Sequence, residues 1–252
     1  MQLTFEQAVS LLGQIATWIT VLLVFLALLE SERQRKTTYK PEVVIKKIDF
    51  TGYGYNLDGI IVSYKWINGF QENISDGLDQ IELRPLLKIY NLGFGSAKNI
   101  VLHWEYKADN SVRFIQEKLI EKSIPIAIHL EKQKVIVTIG GAVDSGFAED
   151  LYPEKQYEYI LPVSVESDGL SVNLPMSYQV IVSLLYLIYQ HNPLEHQDKM
   201  QIPDLGLKID YKDLANKTYS KKFVGTFLPA EMLWPLRHKV WSFKGQLEFK
   251  EI

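Results

Sequence analysis

The stretch LLGQIATWITVLLVFLALL, residues 11–29, contains no charged side chain. A helix of 19 residues covers about 28 Å, which is close to the ~30 Å hydrocarbon thickness of a bilayer. Twelve of these residues are Leu, Ile, Val or Phe, the side chains that most favour insertion. A cleaved signal peptide would begin with basic residues, whereas MQLTFEQ has none. The sequence therefore predicts an uncleaved transmembrane helix within an anchor region, residues 1–32.

The charges beside this stretch predict its orientation. Residues 1–32 contain no Lys or Arg, whereas Arg33, Arg35, Lys36 and Lys40 follow the apolar run directly. Positively charged flanks stay on the cytoplasmic side of a membrane and contact lipid headgroups. We therefore expect a single-pass protein of the bacterial inner membrane, with its N-terminus outside and its C-terminal domain in the cytoplasm.

Small and polar residues lie along one side of the predicted helix. They recur at spacings of three and four: Ser10, Gly13, Gln14, Thr17 and Thr20. Such residues let membrane helices approach closely and form hydrogen bonds across the contact. This pattern predicts self-association or pairing with another span. The alternative is that the hydroxyls bond their own helix backbone.

The rest of the chain has the composition of a folded, slightly acidic domain. Residues 41–252 hold 23 of the 27 basic and 27 of the 30 acidic residues. A nucleic-acid partner is not expected because such binders usually show a basic excess. The chain contains no cysteine, which excludes disulfides and thiolate metal sites and fits a cytosolic domain.

Most of this domain has the pattern of short β-strands. Branched and aromatic residues alternate with polar ones between Gly, Asn and Asp residues, which is typical of strands and turns. The predicted strands cover 43–50, 59–67, 83–93, 98–106, 134–140, 157–165, 207–213 and 220–227, with a turn over 51–59. Strands at this spacing favour a β-sandwich.

Two segments have a helical pattern. Residues 110–122 carry apolar side chains near a helical period, with Asn110 or Ser111 as the predicted N-cap. Residues 175–190 fit one face of a buried helix with Pro175 in its first turn. A core strand fits this second segment almost as well, and a re-entrant membrane contact is a further alternative.

Two loops contain residues suited to tight turns. In NLGFGSA, Gly93 and Gly95 are expected at positive φ, with Asn91 and Asn99 bonding the backbone around the bend. In DLANK, Asp213 is expected to accept backbone N–H bonds and Asn216 to adopt the left-handed conformation.

The same segments carry a resemblance. The stretches YKPEVVI (39–45), IYNLGFGSAKNI (89–100) and IDYKDLANKTY (209–219) resemble motifs of a group of single-span bacterial membrane proteins. That group has a cytosolic immunoglobulin-like β-sandwich and is often linked to mobile elements or phage defence. Two departures from its pattern are Ser96 in place of Pro, and Ala215-Asn216 in place of a Gly-containing turn.

No catalytic motif is found. HNPLEHQD (191–198) and GAVDSGFAEDLYPE (141–154) are interpreted as polar loops rather than a metal site or an acid–base pair. The chain lacks the nucleophile-elbow, HExxH and kinase signatures. We therefore expect no enzyme, no cofactor and no metal site.

The sequence thus predicts a mainly β protein: a transmembrane helix, then an immunoglobulin-like β-sandwich with one or two inserted helices. The expected regions are the anchor (1–32), a basic juxtamembrane linker (33–42) and the cytosolic sandwich (43–252). The expected function is a membrane-tethered interaction or scaffold subunit for a protein partner, in a setting such as phage defence. The alternative is an effector whose transmembrane helices cluster and disrupt the membrane when the cytosolic domain senses a ligand or partner.

Overall fold

A computed structural model describes residues 5–57, 60–69, 85–132, 134–139, 142–150, 154–191, 202–236 and 240–252. The described part of the chain is mainly β, with 13 strands and three helices. Its elements, in chain order, are α1 (Phe5–Thr38), β1 (Val43–Ile45), β2 (Ile48–Leu57), β3 (Ile60–Asn68), β4 (Leu86–Asn91), β5 (Ala97–Glu105), α2 (Ala108–Glu121), β6 (Ile126–Glu131), β7 (Lys134–Ile139), β8 (Ala142–Asp150), β9 (Glu154–Ile160), β10 (Leu170–Asn173), α3 (Met176–His191), β11 (Leu205–Lys212), β12 (Thr218–Leu236) and β13 (Val240–Glu251).

Helix α1 projects from the rest of the protein. Its segment Gly13–Gln34 is long and apolar enough to cross a membrane, and none of it is buried inside the structure. The helix continues to Thr38 and so includes most of the predicted basic linker. We refer to the remainder, residues 39–252, as the body.

The described strands of the body form three antiparallel sheets. The largest has seven strands in the order β3-β2-β13-β12-β11-β5-β9, and two smaller sheets have the orders β1-β4-β10 and β6-β7-β8. Strand β11 shows the expected alternation: Leu205, Leu207, Ile209 and Tyr211 are buried, and the residues between them are partly exposed. One face of the large sheet therefore covers the core.

Helix α3 lies inside that core. Every side chain from Ser177 to Ile188 is at most 3% exposed, as expected for a helix that is apolar on all sides. Ser177, Gln179 and Ser183 have hydrogen-bond partners within the body. Ser183 Oγ donates to Gln179 O at 2.8 Å and accepts a bond from Trp66 Nε1 at 3.0 Å. The predicted buried helix is confirmed here, and the strand and re-entrant alternatives are excluded because the segment is helical and enclosed by the body.

Aromatic side chains connect α3 to the large sheet. Tyr186 stacks on Phe243 with ring centroids 4.3 Å apart, and Phe50 stacks on Trp66 at the same distance. Stacked and edge-to-face aromatic pairs each add about 0.5–1.5 kcal/mol beyond the burial of their area. This cluster fixes α3 against β2, β3 and β13.

Several sequence predictions need correction in the first part of the body. Residues 43–50 form two strands in different sheets, because the exposed pair Lys46 and Lys47 interrupts the alternation. Residues 51–57 are not a turn but the rest of β2, which pairs with both β13 and β3. The glycine at position 52 fits there because a Cβ would lie 2.3 Å from the Phe243 ring.

Further corrections concern loops and helix ends. Residues 142–150 form strand β8, paired with β7, rather than a polar loop. Strand β9 ends at Ile160, so the end of the predicted strand 157–165 is a turn. Helix α2 begins at Ala108 after Lys107, which makes no side-chain cap hydrogen bond, so neither Asn110 nor Ser111 is the cap.

Candidate functional site: the helix junction

The segment that follows α1 is built into the body. Pro41 and Val43 are buried, and β1 begins at Val43 and pairs with β4. The Glu42 N–H donates to Asn91 Oδ1 at 2.9 Å, and the Leu92 N–H donates to Glu42 O at 2.8 Å. The chain thus passes from the apolar helix into the small sheet with no free linker between them. We call this region the junction, formed by residues 39–43, 91–96 and 211–219.

Asn91 is the polar centre of the junction. Its side chain is fully buried and forms four hydrogen bonds. Oδ1 accepts from the N–H groups of Glu42 and Gly93, at 2.9 and 3.1 Å. Nδ2 donates to the carbonyls of Gly95 and Ile160, at 2.7 and 3.2 Å. Both donors and the acceptor oxygen of the amide are therefore satisfied, and one side chain ties together three segments.

Two glycines allow the backbone of residues 39–42 to approach the 91–96 loop. A Cβ at Gly95 would lie 1.8 Å from Tyr39 O, and one at Gly93 would lie 2.2 Å from Lys40 O. Both contacts are with backbone atoms, which cannot rotate away. The expected positive φ at these positions is wrong, since the described glycines at positive φ are Gly69 and Gly169. Glycine is required at the junction for close approach rather than for a left-handed turn.

Of the two asparagines expected to bond the backbone in this loop, Asn91 does so as predicted. Asn99 is exposed and adopts a φ of 50°. The loop also joins β4 to β5, which belong to different sheets. It is therefore a crossing between sheets at the point where α1 enters the body.

The turn between β11 and β12 forms the third side of the junction. Asp213 Oδ1 accepts the Lys217 N–H at 2.9 Å, and Asn216 has a φ of 65°. Both predictions for this turn are confirmed. Asp213 Oδ2 also accepts a hydrogen bond from the Tyr219 hydroxyl at 3.0 Å, which connects the turn to the first residues of β12.

Two tyrosines from these strands pack against residues 39–42, which we call the root of α1 or the α1 root. Tyr211 and Tyr219 are stacked with centroids 5.4 Å apart, and Lys40 Nζ lies 5.6 Å from the Tyr219 ring. Burial, followed by the nearby negative charge of Glu42, raises the pKa of Tyr211 to about 12. Burial and the hydrogen bond to Asp213 also raise the pKa of Tyr219. Both rings are therefore neutral at physiological pH.

An ion pair network closes the same region. Lys221 Nζ lies 2.8 Å from Glu251 Oε2 and 3.7 Å from Glu42 Oε1. The network joins the root of α1 to β12 and to the end of β13. Each carboxylate is half exposed, so each pair adds at most about 1 kcal/mol. The junction is held mainly by backbone contacts and the Asn91 amide.

The predicted association face of α1 is only partly available for contacts with another helix. Thr17 Oγ1 donates to Gly13 O and Thr20 Oγ1 to Ala16 O, both at 2.9 Å. These hydroxyl hydrogens are used within the helix, as in the alternative interpretation. Gln14 is exposed, and Gly13 has open space around it. Ser10 lies in α1, but its side chain is outside the described part of the structure.

The predicted membrane-surface residues follow the apolar segment. Arg33 is exposed in α1, and Lys40 lies in the junction beside Tyr219. Arg35 and Lys36 belong to the last turns of α1, and their side chains are outside the described part. The basic stretch is thus a helical extension of about 13 Å beyond residue 29.

A cleft lies at the opposite end of the body. It has a volume of about 540 Å³ and its lining includes Glu105, Lys107, Asn110, Phe114 and Asp204. Strand β5 runs from Ala97 beside the junction to Glu105 at the cleft, a distance of about 27 Å. The body therefore has a junction end and a far end, connected by β5 and β11. No sequence pattern predicts this cleft, because its lining comes from four segments that are far apart in the chain.

A row of charged side chains crosses the outer face of the large sheet. His103 lies 3.4 Å from both Glu154 and Asp210, and Lys208 Nζ lies 2.6 Å from Asp210. Partial burial acts to raise the pKa of Asp210, but hydrogen bonds from Lys208 and Ser220 and the nearby positive charges outweigh it and lower that pKa. These residues are cross-strand neighbours on β5, β9 and β11 and do not line the cleft.

No group of three or more metal-ligating side chains is found among the described residues. Most of the HNPLEHQD segment lies outside them. Comparison of the chain with protein-family models, with curated proteins and with solved structures finds no match.

Proposed function

We propose that this chain is a membrane-tethered interaction subunit. Helix α1 crosses the bacterial inner membrane with its N-terminus outside, and the body presents its far end to a protein partner in the cytoplasm. The observation that carries the proposal is the junction, because it fixes an exposed apolar helix to a folded body without a flexible linker. Such a connection restricts the orientation of the body as well as its location, which favours a bound partner at a membrane.

The resemblance to single-span bacterial proteins is supported by where its motifs lie. The three stretches are up to about 170 residues apart in the chain, yet all contribute to the junction through Asn91, the close-approach glycines and the Asp213 turn. We propose on this basis that the body is an immunoglobulin-like domain of that group and that its setting is phage defence. In this proposal the motifs serve to seat the membrane helix.

Photocrosslinking in the native host tests the partner surface. A photoreactive phenylalanine analogue replaces Phe114 at the cleft, and a matched control replaces Tyr159, an exposed residue of β9 that pairs with Lys98 at the junction end. We expect one defined protein adduct from position 114 and none from position 159. The same adducts from both positions, or none from position 114, would contradict a partner site at the far end.

A second candidate function is a membrane-disrupting effector. The observation that favours it is again the junction, since a rigid connection would pass a change in the body to α1. In this case Gln14 is expected to mediate contacts between spans, because a side-chain amide is costly to leave facing lipid.

Membrane potential measurements separate the two functions. The wild-type chain is compared with a Gln14→Leu/Thr17→Leu variant and with an Ala16→Leu control, which lies about 200° around the helix from Gln14. An effector depolarises the membrane when triggered, and it loses this activity in the double variant but not in the control. An interaction subunit produces no depolarisation in any of the three.

A further inference from the structure

Exposed apolar side chains are concentrated at the junction end of the body. Outside α1, six of the ten large exposed hydrophobic residues in the described part of the chain lie there: Tyr39, Leu92, Phe94, Val165, Leu214 and Ile252. They come from the α1 root, three separate loops and the end of the chain. The surfaces of soluble proteins usually carry such residues singly, whereas a group of them indicates an interaction site.

The loop that seats the α1 root carries two of them. Leu92 is 60% exposed and Phe94 is 67% exposed, while the residues between and beside them hold the backbone in place. Asn91 and Gly95 fix the loop at both sides of Phe94. The ring is therefore displayed on a rigid support next to the membrane helix.

We infer that Leu92 and Phe94 enter the headgroup region of the bilayer that α1 spans, so that the junction end of the body contacts the membrane surface. This inference rests on the proposed membrane span. The partner is lipid rather than another protein because the loop packs against the first residues after α1, and α1 itself leads into the hydrocarbon layer.

The dimensions of α1 define the geometry of this contact. The polar residues 30–38 extend about 13 Å beyond the apolar segment, whereas the headgroup layer is about 5–8 Å thick on each side. An upright helix would thus hold the loop just outside the headgroups. Membrane helices tilt by up to about 40°. A tilt of about 30° reduces the height of the polar segment 30–38 along the membrane normal to about 11 Å. The same tilt lowers a loop that lies about 10 Å to one side of the helix axis by a further 5 Å.

The charges at this end favour an apolar contact rather than an electrostatic one. Lys40 and Lys217 lie over the Tyr219 ring, and Glu42 and Asp213 are close to them. Since positively and negatively charged side chains are both present, we expect the contact to form on zwitterionic lipid as well as on anionic lipid.

Depth-dependent fluorescence quenching tests the inference in the full chain. The chain has no cysteine, so single cysteines at Phe94, Leu228 and Leu22 can each carry an environment-sensitive dye. The protein is placed in phosphatidylcholine nanodiscs that contain lipid with a nitroxide either on the headgroup or deep in the acyl chain. Leu228 serves as the control away from the junction and Leu22 as the control within the span.

We expect the headgroup nitroxide to quench the dye at position 94 at least twofold more than the dye at position 228. The deep nitroxide should quench the dye at position 22. Equal quenching at 94 and 228, with position 22 quenched, would overturn the lipid contact and leave the span intact. A blue-shifted dye at 94 that nitroxide does not quench would identify a protein neighbour and overturn it too. Absence of quenching at position 22 would instead show that the span proposal, and with it this contact, fails.

Discussion

Asn91 bonds backbone groups of the α1 root, of its own loop and of Ile160, which would otherwise lack hydrogen-bond partners. Its amide offers two donors on one side and an acceptor on the other, which matches the two carbonyls and two N–H groups around it. An amide is the side chain that supplies this combination without a charge. Asparagine is therefore required at position 91 for its side-chain hydrogen bonds rather than for its backbone conformation.

Replacing Asn91 with Asp tests this role with almost no change in shape. One carboxylate oxygen would still accept the N–H groups of Glu42 and Gly93. The other would face the carbonyls of Gly95 and Ile160 with no hydrogen to donate, and the negative charge would be buried. We expect the free energy of unfolding to fall by about 3 kcal/mol or more. Urea denaturation of the full chain in detergent, followed by the fluorescence of its tryptophans, measures this loss.

The matched control is Asn99→Asp near the start of β5, because Asn99 is exposed. It should change stability by less than about 0.5 kcal/mol. Equal effects of the two variants would mean that the hydrogen bonds of Asn91 do not hold the junction.

Tyr211 predicts how the junction responds to alkaline pH. Its pKa is about 12 in the folded protein, compared with about 10 in an unfolded chain. The folded state therefore keeps a proton that the unfolded state releases between these values. The free energy of unfolding should fall as pH rises from about 10 to 12, by at most about 1.4 kcal/mol per pH unit from this group.

A Tyr211→Phe variant removes that contribution, so its stability should fall less steeply above pH 10 than that of the wild type. Unfolding midpoints in urea at several pH values between 8 and 12 measure the slopes. Parallel slopes in the two proteins would show that the proton on Tyr211 is not retained in the folded state.

At the scale of elements, the connection between α1 and β1 is made by backbone contacts that tolerate no side chain at two positions. Gly95→Ala places a methyl group 1.8 Å from Tyr39 O, and the root of α1 must move away from the loop. We expect the amides of Glu42 and Leu92 to lose protection against hydrogen exchange by at least about tenfold, while the core strands keep theirs. Hydrogen exchange read by mass spectrometry measures both.

Gly13→Ala in α1 is the control, since nothing lies within 4 Å of its added Cβ. This substitution should leave exchange at the junction unchanged. If Gly95→Ala had no more effect than Gly13→Ala, α1 would not be seated as described.

A comparison of individual helices and strands shows which of them the sequence could predict. The apolar run of α1 and the helical spacing of apolar residues in α3 are local properties, and both helices are predicted from them. Strand β8 was missed because its carboxylates and glycine have the composition of a loop, and the division of residues 43–50 between two sheets depends on pairing partners far along the chain. The glycine requirement at positions 93 and 95 was predicted for the wrong reason, because the Tyr39 and Lys40 backbone that fills the space is 50 or more residues away.

At the scale of the whole molecule, the two ends of the body carry different features. One end holds α1, the Asn91 network and the exposed Leu92 and Phe94. The other end holds the cleft, about 27 Å away along β5. Since α3 and the aromatic cluster fill the space between sheets, the two ends are parts of one packed unit. A partner bound at the cleft would therefore be held at a fixed height above the membrane.

Cysteine labelling in intact spheroplasts tests most directly whether α1 spans the membrane with the body inside. Single cysteines replace Leu3, before the span, and Lys250, in β13, and are treated with a membrane-impermeant maleimide before and after the membrane is opened. The account predicts labelling of position 3 in intact spheroplasts and of position 250 only after opening, with the protein in the membrane fraction throughout. Labelling of position 250 in intact spheroplasts, or recovery of the protein in the soluble fraction, would contradict it.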